Sequence, residues 1–363
     1  MSDAVLAIDF GTTTSCAALA SDGRVRLLRE PVSGSWGWPS SVLVEGNVPR
    51  VGTIAEERKR LNPAAYRSEI KRFLGQSQPV QLDGRGHAIV VLVVLMLQGI
   101  RAEAERINGG PVPRAVLTVP ASYGADDPRT KDLRDAAWKA GIDGAEFLPE
   151  PVAAAHAPRT GPEVPPGRCL LVYDLGGGTF DTAVVRLSAT GRHEVLGHAA
   201  LDDCGGRDLD TGIRAELRRA GGAALEALLT DPSDGEDPAS EARALRHRLD
   251  LGVLARRMKH RLSADEVADE LFGHDDLPLR YDRQALRALA APLLDRAADC
   301  CTRLIRSCGV SRDELAGAVM TGGTTRLPFV AEHLRNALRL PVWQAEDPDT
   351  AVAHGAALWA MGR

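Results

Sequence analysis

The sequence predicts an α/β fold built as two similar lobes facing each other, and three observations carry that expectation. Short apolar runs of strand character alternate with longer helical segments along the chain, the pattern of an α/β protein. The stretch VLAIDFGTTTSCAAL (Val5 to Leu19) is echoed by LVYDLGGGTFDTAVV (Leu171 to Val185): an apolar run, Asp-x-Gly, a small polar turn and a second apolar run. Asp9 with Asp174, Gly11 with Gly176 and Thr14 with Thr179 pair at one common offset, as expected when one unit is used twice. At 363 residues the chain is long enough for two domains, or one large bilobed one, with an ample core.

Taken in order, the first unit reads as a β-hairpin tipped by GTTT at 11–14. The longest apolar run, IVVLVVLML from Ile89 to Leu97, has nine residues, far short of the ~20 needed to cross a bilayer. It begins a buried helix that continues through QGIRAEAERI. AVLTVP (Ala115 to Pro120) is a short strand ending in loop residues, and DPRTKDLRDAAWKAG is a helix from its proline to the stop at Gly141. In the second hairpin, Leu170 to Arg186, three consecutive glycines stand where a tight turn needs one. Glycine weakens strands, so the triplet implies that something presses against bare backbone. DPSDGEDPASEA (Asp231 to Ala242) is acidic and rich in turn-formers, an expected exposed loop. The segment from Asp275 to Gly309 contains a long helix with Leu286, Leu289, Leu293 and Leu294 on one face. GAVMTGG (Gly317 to Gly323) is a further strand.

Composition narrows the functions. A net charge of −5 offers no basic excess for nucleic acid. Six cysteines, with Cys300 and Cys301 adjacent and no CxxC pair, fit neither a zinc site nor a redox motif, and a reduced, cytoplasmic setting is expected. The start, MSDAVLAIDFGTTTS, lacks a charged leader followed by an apolar core and cleavage site, so secretion is not expected, and with the longest apolar run only nine residues no membrane partner is expected.

The chemistry lies in the glycine turns. Consecutive backbone N–H groups in a glycine-rich turn form a nest that a phosphate approaches without a Cβ in the way. Gly176, Gly177 and Gly178 supply one nest and Gly11, Thr12, Thr13 and Thr14 another. Asp9 and Asp174, each ending a first strand, are placed to hold water on a hard Mg²⁺ ion bridging phosphate oxygens. A third turn, DDCGGRD (Asp202 to Asp208), and a fourth, TGGTTR (Thr321 to Arg326), end strand-like runs in the later half. Together the four turns predict a nucleotide held between lobes. There is no GxxxxGK[ST], which excludes the P-loop solution.

The chain resembles the ATPase domain of the seventy-kilodalton heat-shock chaperones, within the actin and sugar-kinase superfamily. The resemblance runs in order through AIDFGTTTSCAA, VGTIAEERKRLNP, EIKRFLG, VLTVPASYG, EPVAAA, YDLGGGTFD, CGGRDLD, MKHRLS, VMTGGTTRLP and DPDTAVAHGAA. It implies an actin-like ATPase fold: lobe I over 1–168, lobe II over 169–345, and a C-terminal helix over 346–363 returning to lobe I. It also implies ATP or ADP with Mg²⁺ as ligands. Asp9, Thr12, Thr13 and Asp174 are assigned to phosphate and Mg²⁺. Lys71 matches the family's catalytic lysine, Glu150 the carboxylate near the attacking water, and Thr179 and Asp181 the polar pair of the second hairpin. Gly205 and Gly206 belong to the third turn. Lys259, His260 and Ser263 match one side of the adenosine site; Gly322, Gly323 and Arg326, with Asp349, match the other. Phosphoryl transfer needs mostly positioning and charge neutralisation, which such a set supplies.

The chain also departs from the family. Thr14 stands for asparagine, Arg207 for an acidic residue, Arg256 for a glutamate at the ribose, Pro149 for asparagine, and His260 for an arginine that stacks on adenine. The segment between Gly75 and Ala115 is shorter, and no linker, peptide-binding β-sandwich or helical lid follows GAALWAMGR, so no peptide capture by those parts is expected. Two functions stay open. One is a chaperone-like ATPase read out by a separate protein. The other is a metabolic enzyme transferring phosphate to a small-molecule carboxylate or hydroxyl.

Overall fold

Two sheets of the same strand order form the frame. The computed structural model describes residues 4–230, 238–274 and 276–362. In the first sheet the order is Glu146–Pro149, Arg114–Val119, Val5–Asp9, Thr14–Ser21, Arg24–Leu27, with Gly37–Pro39 pairing separately with Thr14–Ser21. In the second it is Val342–Gln344, Leu315–Thr321, Cys169–Leu175, Phe180–Arg186, Glu194–Leu201. Read in these directions, both run parallel, parallel, antiparallel, antiparallel. The hairpin echo is therefore one part of a duplication that extends over five strands of each sheet.

The parallel pairs require crossover connections, and helices supply them. Ile89–Asn108 precedes the strand Arg114–Val119, and Pro128–Lys139 links that strand to Glu146–Pro149. Asp127 caps the second of these helices, its side chain accepting from the Arg129 N–H, and Pro128 fills the first turn where no N–H is needed. Ile89, Leu92, Val93, Met96, Leu97 and Ile100 bury one face of the first helix against Leu6, Ile8 and Leu117 of the sheet. In the second lobe, Leu286, Leu293 and Leu294 of Arg283–Ser307 pack with Leu171, Tyr173 and Phe180, and Leu289 sits half-buried at their edge.

Between the sheets lie two helices, Glu150–His156 and Ala351–Met361. Val152 to Ala155 of one and Val352, Ala356 and Ala357 of the other share a core with Val5 and Ala18 from one sheet and Val172 and Val185 from the other. A Cβ on Gly355 would overlap the Ala153 carbonyl, so the two backbones touch where the helices cross.

Smaller elements extend each lobe: a three-stranded sheet of Ser41–Glu45, Val48–Val51 and Tyr66–Ser68, a hairpin of Val80–Leu82 with Arg85–His87, and a hairpin of Val267–Phe272 with Leu277–Asp282. The expected exposed loop over 231–242 needs correction. The helix Pro238–Arg261 already includes its last five positions, and 231–237 lie outside the described residues. Alanine, glutamate and arginine in ASEARALR are good helix formers, which outweighs the turn-forming composition before them. Among the described residues no helix is long and apolar enough to cross a membrane.

Candidate functional site

The hairpin tips carry the first group of expected residues. Asp9 closes its strand directly opposite Cys16, and Asp174 stands opposite Asp181 in the equivalent register. A Cβ on Gly11 would overlap the Thr14 carbonyl, which is why that turn takes glycine. Ser40 fastens the first tip: its N–H donates to the Thr13 carbonyl at 3.0 Å and its hydroxyl to the Gly11 carbonyl at 2.8 Å. Thr12 is half-buried beside them. The two tips meet, for a Cβ on Gly177 would lie 3.0 Å from Thr13 Oγ1. That hydroxyl is buried with no hydrogen-bond partner among the described residues, an orphaned donor aimed at the bare backbone of the opposite lobe.

The other glycine turns close on the second tip. The Gly176 N–H donates to the Thr179 carbonyl at 3.0 Å, completing the hairpin turn. The Gly176 carbonyl accepts from the Gly206 N–H at 3.0 Å and from Thr324 Oγ1 at 2.8 Å, and the Gly177 carbonyl accepts from the Arg207 N–H at 2.7 Å. A Cβ on Gly205 would stand 2.8 Å from the Gly178 carbonyl carbon. Gly322, at φ +84°, is pressed against Asp174 and the Leu175 carbonyl, and Gly323 against Asp349. Second, third and fourth turns are thus one packed cluster in which Gly178, Gly205, Gly322 and Gly323 leave no room for a Cβ of their own.

Beneath the tips sits a buried charge group. The Lys71 Nζ donates to Glu150 Oε1 at 2.9 Å, with side chains only 7% and 14% exposed. Lys71 comes from the short 3-10 turn Ile70–Phe73, and Glu150 is the first residue of the helix between the sheets. Asp9 Oδ1 accepts from Thr118 Oγ1 at 3.0 Å. Burial and then the Glu150 carboxylate push Asp9 up to about 6, with Lys71 and Thr118 opposing. Burial and Glu150 likewise push Asp181 up to about 6 against a hydrogen bond from Thr179. Asp174 is driven well above the usual carboxylate range by burial, then by Asp181, Glu150 and Asp9. Burial alone lowers an ammonium, but Glu150 and Asp9 outweigh it and hold Lys71 above its usual value. Four carboxylates therefore surround one ammonium, an arrangement that calls for further positive charge. Among the described residues no three His, Cys, Asp or Glu side chains lie close enough to ligate a metal directly. A cavity lined by Ser122, Glu150, Asp174, Asp181 and His198 adjoins the group.

The remaining expected residues flank the cluster. Lys259 is buried, its Nζ 2.8 Å from Asp210 Oδ1 and donating to the Gly206 carbonyl at 2.7 Å. Burial lowers its ammonium, with Asp210 opposing and Arg256 and Arg207 adding to the fall. Partial desolvation, then Lys259 and Arg256, hold the His260 imidazole below its usual value. Ser263 follows in a turn, its N–H donating to the His260 carbonyl at 3.1 Å. Across from them Arg326 pairs with Asp349 at 2.6 Å and Asp347 at 2.5 Å. Thr118, Thr324, Ser40 and Glu69 were not anticipated. Thr118, Thr324 and Glu69 lie within segments already singled out, AVLTVP, TGGTTR and EIKRFLG, whereas Ser40 carried no signal.

A duplicated sheet core whose glycine-tipped hairpins meet over buried carboxylates is the actin-like ATPase fold. Residues 5–361 match the family described as Hsp70 protein. The chain belongs to the Hsp70 family and is an Hsp70-like ATP-binding protein. Members of that family are ATPases that bind ATP or ADP with Mg²⁺.

Proposed function

We propose that this chain hydrolyses ATP in the cleft between a lobe over 1–168 and a lobe over 169–345, with a C-terminal helix over 346–363 returning to the first lobe, and that a separate cytoplasmic protein reads out the cycle. The observation that carries the proposal is the buried Lys71–Glu150 pair beneath the facing tips. The donor set fits a triphosphate. Thr13 Oγ1 lacks a partner and the Gly177 backbone opposite has no Cβ to fill the space. Asp9 and Asp174 are assigned to Mg²⁺ through water, in keeping with the lack, among the described residues, of three side chains gathered as a direct ligand set. Bound there, the metal supplies charge neutralisation at the phosphate oxygens.

In this scheme Lys71 presents positive charge to the terminal phosphate and Glu150 fixes the ammonium from behind. Asp181, with its pKa near 6, is poised to accept a proton near neutral pH. Thr179 orients it. Lys259, His260 and Ser263 on one side, and Gly322, Gly323, Arg326 and Asp349 on the other, hold the adenosine.

Phosphate release from ATP by the purified protein, with and without candidate peptides and small molecules, is the test. Turnover with water alone, dependent on Mg²⁺, supports the proposal. The cavity beside Glu150, Asp174 and Asp181 favours a second reading, phosphoryl transfer to a small carboxylate or alcohol; ATP consumption that requires one metabolite and yields its phosphorylated form would establish that reading instead.

A further inference from the structure

Arg207 stands in a position that the ATPase scheme does not use. It is the second residue of the helix Gly206–Leu229, and its N–H is tied to the Gly177 carbonyl at 2.7 Å. Its side chain folds back over the phosphate turn: the guanidinium carbon lies 3.0 Å from where a Cβ on Gly178 would be. From there it crosses the cleft to pair with Glu69 of the opposite lobe. Its Nε is buried with no hydrogen-bond partner among the described residues.

Glu69 does not depend on this contact. Its carboxylate also pairs with Arg72 Nε at 3.1 Å, so a cation remains beside it if Arg207 leaves. Glu69 adopts the left-handed conformation, φ 59°, uncommon for a residue other than glycine, and it immediately precedes the turn that carries Lys71. Arg207 thus has an unused donor, a replaceable partner and a position on the bare backbone of the second tip. The surrounding charge supplies a reason to move, because Asp9, Asp174 and Asp181 lie close enough to Glu150 and to one another to repel, with Lys71 opposing. A planar guanidinium suits a phosphate through paired N–H donors.

We infer that Arg207 is a second phosphate-directed cation, which exchanges Glu69 for the terminal phosphate of a nucleoside triphosphate and so separates triphosphate from diphosphate. The inference rests on the proposed nucleotide site and adds to it a residue specific for the third phosphate. Affinities of the full chain for ADP and for a non-hydrolysable ATP analogue, measured by calorimetry with Mg²⁺, test it. Arg207→Ala is expected to lower the ATP-to-ADP affinity ratio by about tenfold to a hundredfold, the worth of a charge-assisted hydrogen bond. Arg207→Lys should recover part of that ratio. Glu69→Gln should raise affinity for the ATP analogue several-fold while leaving ADP unchanged, because it releases Arg207 beforehand. If Arg207 serves only as a strap between lobes, Arg207→Ala and Glu69→Gln will weaken both nucleotides by the same factor, and the inference is overturned. Wild-type binding of ADP keeps the nucleotide site in force in that case, whereas a wild-type chain that binds neither nucleotide overturns both.

Discussion

Replacing Lys71 with methionine keeps most of the side-chain volume and removes one charge from a site that holds four carboxylates. The partner left behind is Glu150, 14% exposed and 2.9 Å from the lost Nζ. Breaking a buried ion pair on one side costs about 3–5 kcal/mol, and the sign of its pH dependence follows from the neighbours. Burial, then the Glu150 carboxylate, pushes Asp9 and Asp181 up to about 6 in the folded chain, above the ordinary aspartate value of about 3.8. Groups raised in this way favour folding fully below the unfolded pKa, and that contribution is lost as pH rises through the folded one. For Asp181 the rise corresponds to about 3 kcal/mol. Lys71 lowers both values, so its removal lifts them further and deepens the loss at high pH. The Lys71→Met deficit in urea unfolding should therefore be greatest near pH 8 and shrink by pH 5, where the carboxylates carry protons in both proteins. Turnover should fall by about 10²–10³, as when one transition-state donor is removed, with ADP affinity kept within about tenfold. A variant that turns over ATP within tenfold of wild type, or is equally destabilised at pH 8 and pH 5, would refute the charge accounting.

Two further outcomes follow from single contacts. Thr13→Val removes a hydroxyl that has no partner among the described residues, so unfolding in urea should change by less than about 0.5 kcal/mol while ATP affinity drops about five- to tenfold, one neutral hydrogen bond; a large stability loss would show that the hydroxyl has a structural partner. Gly355→Val drives a side chain into the Ala153 carbonyl and should cost at least 1–3 kcal/mol, read as a lower denaturation midpoint, with Gly355→Ala intermediate; a neutral Gly355→Val would mean that the two helices separate freely.

The duplication was legible because local pattern carries it. Asp-x-Gly followed by small polar residues, between apolar runs, specifies a hairpin tip wherever it occurs, and both copies adopt one (Val5–Asp9 with Thr14–Ser21, Cys169–Leu175 with Phe180–Arg186). Four glycine turns could be picked out singly for the same reason. Their convergence could not, since the bonds from Gly206, Arg207 and Thr324 to Gly176 and Gly177 join segments far apart in sequence. Thr118 reaches Asp9 only through parallel pairing of strands more than a hundred residues apart, a register that no local signal encodes. The same limit hid Glu69: a carboxylate two residues before Lys71 looks like a solvated surface group until Arg207 arrives from the other lobe. The start of the helix Pro238–Arg261 was masked by the proline and acidic turn-formers ahead of it.

The crossing of Gly355 and Ala153 sets how the lobes are able to swing. Backbone lies directly on backbone there, with no layer of side chains to compress or shear, so the contact behaves as a rivet. Rotation about a rivet displaces each atom in proportion to its distance from it. Contacts that join the lobes, such as the bridge between Arg60 and Asp250, are therefore carried by such a swing only as far as their separation from the crossing dictates.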